Sequence, residues 1–256
     1  MSTSPDVRQL PIEGDRLDPC NSPRDLAVTW LGIMDYQLAL ELQNRLVIAR
    51  LSDKIPDVLL LLEHPHVYTL GRGADERFVL NPAGTPVHRV SRGGQVTYHG
   101  PGQLIGYPIV KLEGSERDVI RYIRRLERVL IESLATLGIG AQRRTGLTGV
   151  WIGREKIASI GVGFRRWVSL HGFALNVTTD LRRFDAIVPC GIANCRMTSI
   201  TARGLRAVNS ESFSQVVGRQ FAVTFEYHRI LSLTEAQLLS RVDPDREHGE
   251  AGVNGD

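Results

Sequence analysis

Few residues of this chain could carry covalent chemistry. Cysteine occurs at Cys20, Cys190 and Cys195, lysine only at Lys54, Lys111 and Lys156, and every other positive side chain apart from histidine is an arginine. Cys190 stands in Val188-Pro189-Cys190-Gly191-Ile192, where proline stiffens the approach and glycine frees the next backbone N–H, a seat suited to a nucleophile. The competing reading of a lone cysteine is a small buried hydrophobe. A thiol attacks as its thiolate, and at a free pKa near ~8.5 it is mostly protonated at neutral pH unless a cation or base stands beside it. Histidine is the commoner partner, and His99 and His171 both lie near glycines in expected loop positions, so by pattern a Cys/His pair is favoured. Lys156, followed by apolar Ile157 and Ala158, is the other candidate, because lysine can lose and regain a proton where arginine cannot.

A second chemical segment runs Arg92-Gly93-Gly94-Gln95-Val96-Thr97-Tyr98-His99-Gly100-Pro101-Gly102-Gln103. Its four glycines let backbone approach a ligand and expose N–H groups that can hold a carboxylate, a phosphate or a developing oxyanion. The plainer reading is a glycine-rich turn between strands, and no P-loop or Rossmann fingerprint is present. Cys195 invites a metal reading, but two cysteines fill a tetrahedral site only if His99 or His171 joins them, so no metal and no cofactor is expected.

These residues need a scaffold. Val28 to Ile33 reads as a strand and is followed by a helix with Leu38, Leu42 and Leu46 every fourth position. Val58 to Leu62 and Val67 to Leu70 read as strands, the second leading into Gly71-Arg72-Gly73. A helix is expected from a capping box at Ser115 and Asp118 to a stop at Gly138. Val150 to Ile152, Lys156 to Phe164 and Val168 to Val177 are β-rich, with Gly153-Arg154 as a hairpin turn that puts Lys156 at the start of a strand. A last amphipathic helix covers Phe213 to Phe221. The pattern predicts one α+β catalytic domain over 25–240, with flexible tails at 1–24 and 241–256.

Composition narrows the class. The chain has 256 residues, 42% hydrophobic and 23% charged, with a net charge of +3, within the ordinary range of a globular domain and without a charge signature for nucleic acid. The longest aliphatic run, Val58 to Leu62, is far shorter than the ~20 residues that span a bilayer, so no membrane association is expected. The sparse, odd set of cysteines does not form a disulfide framework, and Asp6, Glu13, Asp15 and Asp18 replace an apolar signal core near the N-terminus. Both point to the cytoplasm.

Taken together, Arg92 to Gln103, Gly149-Val150-Trp151-Ile152-Gly153-Arg154-Glu155-Lys156-Ile157-Ala158-Ser159-Ile160-Gly161, His171-Gly172-Phe173-Ala174-Leu175-Asn176-Val177 and Pro189-Cys190-Gly191 resemble the lipoyl(octanoyl) transferase family. The resemblance implies a mixed β-sheet with packed helices, the fold of lipoate- and biotin-protein ligases, related to class II synthetases. It implies a Cys/Lys dyad of Cys190, which would carry an acyl thioester, and Lys156, which would tune it. The implied acyl pocket consists of Arg92, Gly93, Gly94, Gln95, Val96, Thr97, Tyr98 and His99, of Ser159, Ile160 and Gly161, and of Gly172, Phe173 and Ala174. Octanoyl-acyl carrier protein would be the donor. The acceptors would be lipoyl domains of 2-oxoacid dehydrogenase E2 subunits and the glycine cleavage H protein. A thioester is already activated, so no ATP is needed. The Gly93-Gly94 turn and the Cys190 amide are candidate oxyanion donors, and Val96, Ile160 and Phe173 candidate tunnel walls. The rival readings are an ATP-dependent lipoate- or biotin-protein ligase, which needs no cysteine, and a non-catalytic binder of acyl carrier protein or lipoyl domains.

Overall fold

The run Val58 to Leu62 is apolar at every position because its strand is covered on both faces. In the computed structural model, which describes residues 24–191 and 195–242 without the Cys190 side chain, that strand is β2 (Asp57–Glu63). Val58, Leu60 and Leu62 pack toward α1 (Tyr36–Leu51) and α4 (Glu235–Val242), whereas Leu59 and Leu61 pack toward α2 (Val119–Ala135) and α3 (Ser210–Thr224). The molecule is therefore three layers, helices on either side of one sheet. The tails expected at 1–24 and 241–256, and Cys20 with them, lie outside the described residues except for Arg24 and the last two residues of α4.

The main sheet has eight strands. Beside β2 stand β1 (Asp25–Ile33) and β6 (Gln103–Ile109); beyond β1 lies β11 (Arg229–Ser232), and beyond β6 come β10 (Val168–Asn176), β9 (Glu155–Arg165), β8 (Leu147–Ile152) and β7 (Gln142–Arg144). β1 runs parallel to β2 and β11, with α1 as the crossover between β1 and β2, and the other pairings are antiparallel. A smaller sheet of β3 (Val67–Leu70), β4 (Val87–Arg89) and β5 (Val96–His99) adds a flap with its own apolar cluster around Tyr68, Tyr98 and Phe184. The expected α+β class with a mixed sheet and packed helices is observed. No helix among the described residues is long and apolar enough to cross a membrane.

Local differences from the expected elements have physical reasons. Leu38 faces solvent at 59% exposure, whereas Ala39, Leu42, Gln43 and Leu46 are buried, because a strict four-residue spacing drifts off a 3.6-residue face. α2 is capped by Asp118, whose carboxylate accepts the N–H of Arg121, and Ser115 lies in a 3-10 turn before it. Its end is as expected: Gly138 is left-handed at φ 72 and donates its N–H to the carbonyl of Ala135. The segment from Arg92 to Gln103 is less loop-like than its glycines suggest, since β5 fills its middle and Gln103 opens β6.

Candidate active site

β8, β9, β10, β6 and the flap enclose a cavity of about 260 Å3. Lys156 reaches it from the second position of β9, which the tight turn at Gly153 (φ 59) sets in register with β8. The lysine is 2% exposed. Its backbone N–H donates to the carbonyl of Arg196 (2.8 Å), and its carbonyl accepts the N–H of Thr198 (2.9 Å). Its stem crosses Gly149, where an added Cβ would lie 2.6 Å from Lys156 Cε, and its ammonium stands 5.4 Å from the ring centre of Trp151.

The same cavity is bordered by Arg92, Gly94, Gln95, Val96, Thr97 and His99 from the flap, by Ser159, Ile160 and Gly161 from β9, and by Gly172, Phe173 and Ala174 from β10. Three segments far apart in sequence thus meet around Lys156. Gly93 and Tyr98 do not border it. Gly93 donates its N–H to the carbonyl of Val162 (2.9 Å), which engages the donor proposed from sequence for an oxyanion. Tyr98 packs edge-on against Phe184 in the flap's own apolar cluster and hydrogen-bonds His66 (2.7 Å). The cavity also takes Tyr36, Tyr107, Gly146, Leu147, Thr148 and His171, none expected as pocket residues. Gly146 to Thr148 adjoin the Gly149 motif, a hint in sequence. Tyr36 and Tyr107 carry none, because only the packing of α1 on β6 brings them there.

Cys190 lies in a 3-10 turn, Pro189–Gly191, that rests against β5. An added Cβ at Gly191 would stand 3.0 Å from Cγ of Gln95, so the turn meets the flap at a residue that borders the Lys156 cavity. The Cys190 side chain is outside the described residues. Cys195 borders a different depression, with Pro189 and Met197.

His99 and His171, expected in loops, are in strands and buried. A continuous chain of hydrogen bonds fixes His99. Arg92 Nη2 donates to Thr69 Oγ1 (2.8 Å), and that hydroxyl donates to His99 Nε2 (3.2 Å). His99 Nδ1 donates to Gln103 Oε1 (2.9 Å), and Gln103 Nε2 donates to Asn176 Oδ1 (2.9 Å). The last link runs from Asn176 Nδ2 to the carbonyl of Thr198 (2.9 Å), the residue paired with Lys156. Both ring nitrogens of His99 are engaged. Burial, then His64 and Arg92, hold its pKa well below the usual histidine value, so it is neutral. His171 is likewise pushed down to about 4, by burial and then by Arg92. It sits in β10 at a left-handed φ of 58, its N–H turned out to Gln43 Oε1 (2.8 Å) and its Nε2 within 3.1 Å of Ser91 Oγ. His64 stands behind Tyr107: its Nδ1 donates to the carbonyl of Met34 (2.7 Å), so Nε2 accepts from the Tyr107 hydroxyl (2.7 Å). No His/Cys/Asp/Glu cluster able to hold a metal occurs among the described residues.

The family model described as "Lipoyl protein ligase A/B catalytic domain" matches residues 35–222. The octanoyltransferase of Gloeobacter violaceus is 49% identical over 196 residues, covering 76% of this chain and 87% of the relative. That of Solibacter usitatus is 47% identical over 213 residues, covering 81% and 96%. Among solved structures, lipoate-protein ligase A bound with ATP superposes with a TM-score of 0.65 at 19% identity, covering 85% of this chain and 92% of that one. A bi-partite lipoate protein ligase from Thermoplasma acidophilum, described with its E2 lipoyl domain, gives 0.65 at 20% identity, covering 85% and 90%. At such identities the structural likeness is one of fold.

Proposed function

The chain belongs to the lipoyl protein ligase A/B catalytic-domain family, in its octanoyltransferase branch, and from that premise we propose that it transfers octanoyl groups in two steps through Cys190 and Lys156. Octanoyl transfer in protein lipoylation is the activity of the branch. The steps are our reading. The Cys190 thiolate attacks the thioester carbonyl of octanoyl-acyl carrier protein, and the tetrahedral intermediate collapses to an octanoyl-enzyme. The departing phosphopantetheine thiolate takes the proton of the Lys156 ammonium. Neutral Lys156 then accepts a proton from the attacking amine of the acceptor, and collapse of the second intermediate expels the Cys190 thiolate, restoring the starting charges. At ~4 Å and an effective dielectric of ~20 an ammonium stabilises a thiolate by about 4 kcal/mol, before the cost of desolvating both groups.

One observation carries this reading. Lys156 is a buried amine bordering the cavity beside which the Pro-Cys-Gly turn rests, whereas His99 has both nitrogens engaged. That favours Lys156 over His99 as the partner of the cysteine. The walls supplied by Val96, Ile160 and Phe173 suit an apolar acyl chain. The proposed acceptors are lipoyl domains of 2-oxoacid dehydrogenase E2 subunits and the glycine cleavage H protein; the E2 lipoyl domain described with the Thermoplasma ligase is consistent with the first. The proposed compartment is the cytoplasm, where thiols stay reduced. Incubation with octanoyl-acyl carrier protein, followed by intact-mass measurement and peptide mapping, tests the route: one octanoyl group on the peptide containing Cys190 is expected, and a modified chain with the acyl group elsewhere excludes it.

A further inference from the structure

Glu127 is fully buried on α2, an environment a carboxylate tolerates only when its oxygens are satisfied. Its Oε2 accepts from Arg124 Nη1 (2.7 Å) and Arg143 Nε (2.9 Å), and these two cations account for the buried charge. Its Oε1 does something else: it accepts the backbone N–H of Gly149 on β8 (3.1 Å). Gly149 has φ 116, in the left-handed range, and next to it the pairing of β8 with β9 slips: Val150 faces Ala158 and Trp151 faces Lys156, which leaves Ile157 of β9 as the extra residue. The distortion makes space. Lys156 runs across Gly149, and a Cβ there would fall 2.5 Å from the carbonyl oxygen of Ala158 and 2.6 Å from Lys156 Cε.

We infer that Glu127 is a positioning residue for Lys156: by binding the Gly149 N–H it holds the left-handed backbone of β8 over which the lysine stem lies. The inference rests on the reading of Lys156 as the lysine of the dyad. Glu127 does not border the cavity, so it touches no substrate and acts through the backbone of β8 alone. Without an acceptor at Oε1, the buried amide of Gly149 is left unsatisfied, the backbone there shifts toward another acceptor, and the lysine loses its floor. The carboxylate charge is secondary to this role: in Glu127→Gln the amide oxygen can accept the same N–H while its NH2 displaces Arg124 and Arg143, whose half-exposed side chains can swing into solvent.

The test compares Glu127→Gln, Glu127→Leu, Gly149→Ala and Lys156→Ala in the full chain, following melting temperature, octanoyl transfer and the pH midpoint of Cys190 alkylation by iodoacetamide, with peptide mapping to separate Cys190 from Cys20 and Cys195. Glu127→Gln should stay close to wild type in the midpoint. Glu127→Leu should raise it by about one pH unit, a tenfold loss of thiolate at a given pH, and lower kcat by about tenfold with KM for the donor unchanged. Gly149→Ala keeps Glu127 and its arginines but sets a methyl against the lysine, and it should shift the midpoint in the same direction. An unshifted midpoint in whichever of the last two folds overturns the inference. The parent reading has its own control. If Lys156→Ala leaves the midpoint where it was, the dyad itself fails; if Lys156→Ala moves it and Glu127→Leu does not, only the positioning role fails.

Discussion

Lys156 occupies a space shaped for an unbranched chain, bounded by Gly149 along its stem and the Trp151 ring near its end. Lys156→Arg keeps a positive charge there, so some thiolate stabilisation and some octanoyl-enzyme should persist. The proposed second step differs, because a guanidinium with pKa above ~12 cannot take a proton from the acceptor amine. We expect passage of the acyl group to a lipoyl domain to slow by ~100-fold or more, read by mass spectrometry of each half-reaction separately. A wild-type rate in the second half-reaction would reduce Lys156 to a fixed charge. Cys190→Ser should abolish turnover without changing the circular dichroism spectrum, and Cys195→Ala should keep most activity, since Cys195 borders a depression apart from the Lys156 cavity. Loss of activity in Cys195→Ala alone would misplace the nucleophile. At this scale the sequence was informative where residue type is scarce, as at three lysines in an arginine-rich chain. It misled at His99, whose glycine neighbours suggested a loop but which stands in β5 with both nitrogens bonded.

At the scale of elements, β6 and β10 meet where the main sheet forms the cavity wall, and Gly106 faces Phe173 across that ladder. A Cβ at Gly106 would lie 2.0 Å from the Phe173 ring, which cannot retreat without entering the cavity it borders or the α2–α3 core it packs in. Gly106→Ala should therefore cost about 1–3 kcal/mol, the range of overpacking, or roughly 2–4 °C of melting temperature per kcal/mol at this chain length. It should also raise KM for the octanoyl donor. An unchanged melting curve and KM would mean that the ring has another place to go. The strands that periodicity marked, from Val28, Val58, Val67, Lys156 and Val168, are present because alternation and β-branching report burial directly. β5 and the start of β6 were hidden by the glycines around them. Those glycines serve close approach: Cβ atoms at Gly100 and Gly102 would fall 1.9 Å from the Tyr98 hydroxyl and 2.3 Å from Thr178 Oγ1.

For the molecule as a whole, the buried polar residues behind the cavity tie folding to pH. His64, His99 and His171 are buried and neutral; burial is the main cause in each, lowering His64 and His171 to about 4 and His99 well below its ordinary value. The sequence marked His99 and His171 among seven histidines, but neither their burial nor that of His64, which depends on α1, the flap and the main sheet closing on one another. In the unfolded chain each returns to a pKa near ~6.5. Between pH ~6.5 and ~4 the unfolded state therefore binds protons that the folded state refuses, and stability falls as the pH falls through that window. Full protonation of His64 and His171 costs on the order of 3 kcal/mol each, and the slope approaches ~1.4 kcal/mol per pH unit for every histidine still titrating in the unfolded chain alone. Carboxylates held low by arginine or lysine partners, such as Asp53 beside Lys111, contribute only at lower pH, where they take up protons in the unfolded chain. Urea midpoints measured from pH 8 to pH 4 should hold steady above about 7 and then drop steadily from about 6.5. His171→Asn should flatten that drop by up to one proton, because an amide can keep a bond to Ser91 without titrating. A wild-type midpoint that stays level down to pH 4.5 would mean that these imidazoles accept protons in the folded state. The neutral hydrogen-bond chain from Arg92 to Thr198 could not then hold as drawn, since a protonated His99 would turn an N–H toward Thr69 Oγ1, reversing that link.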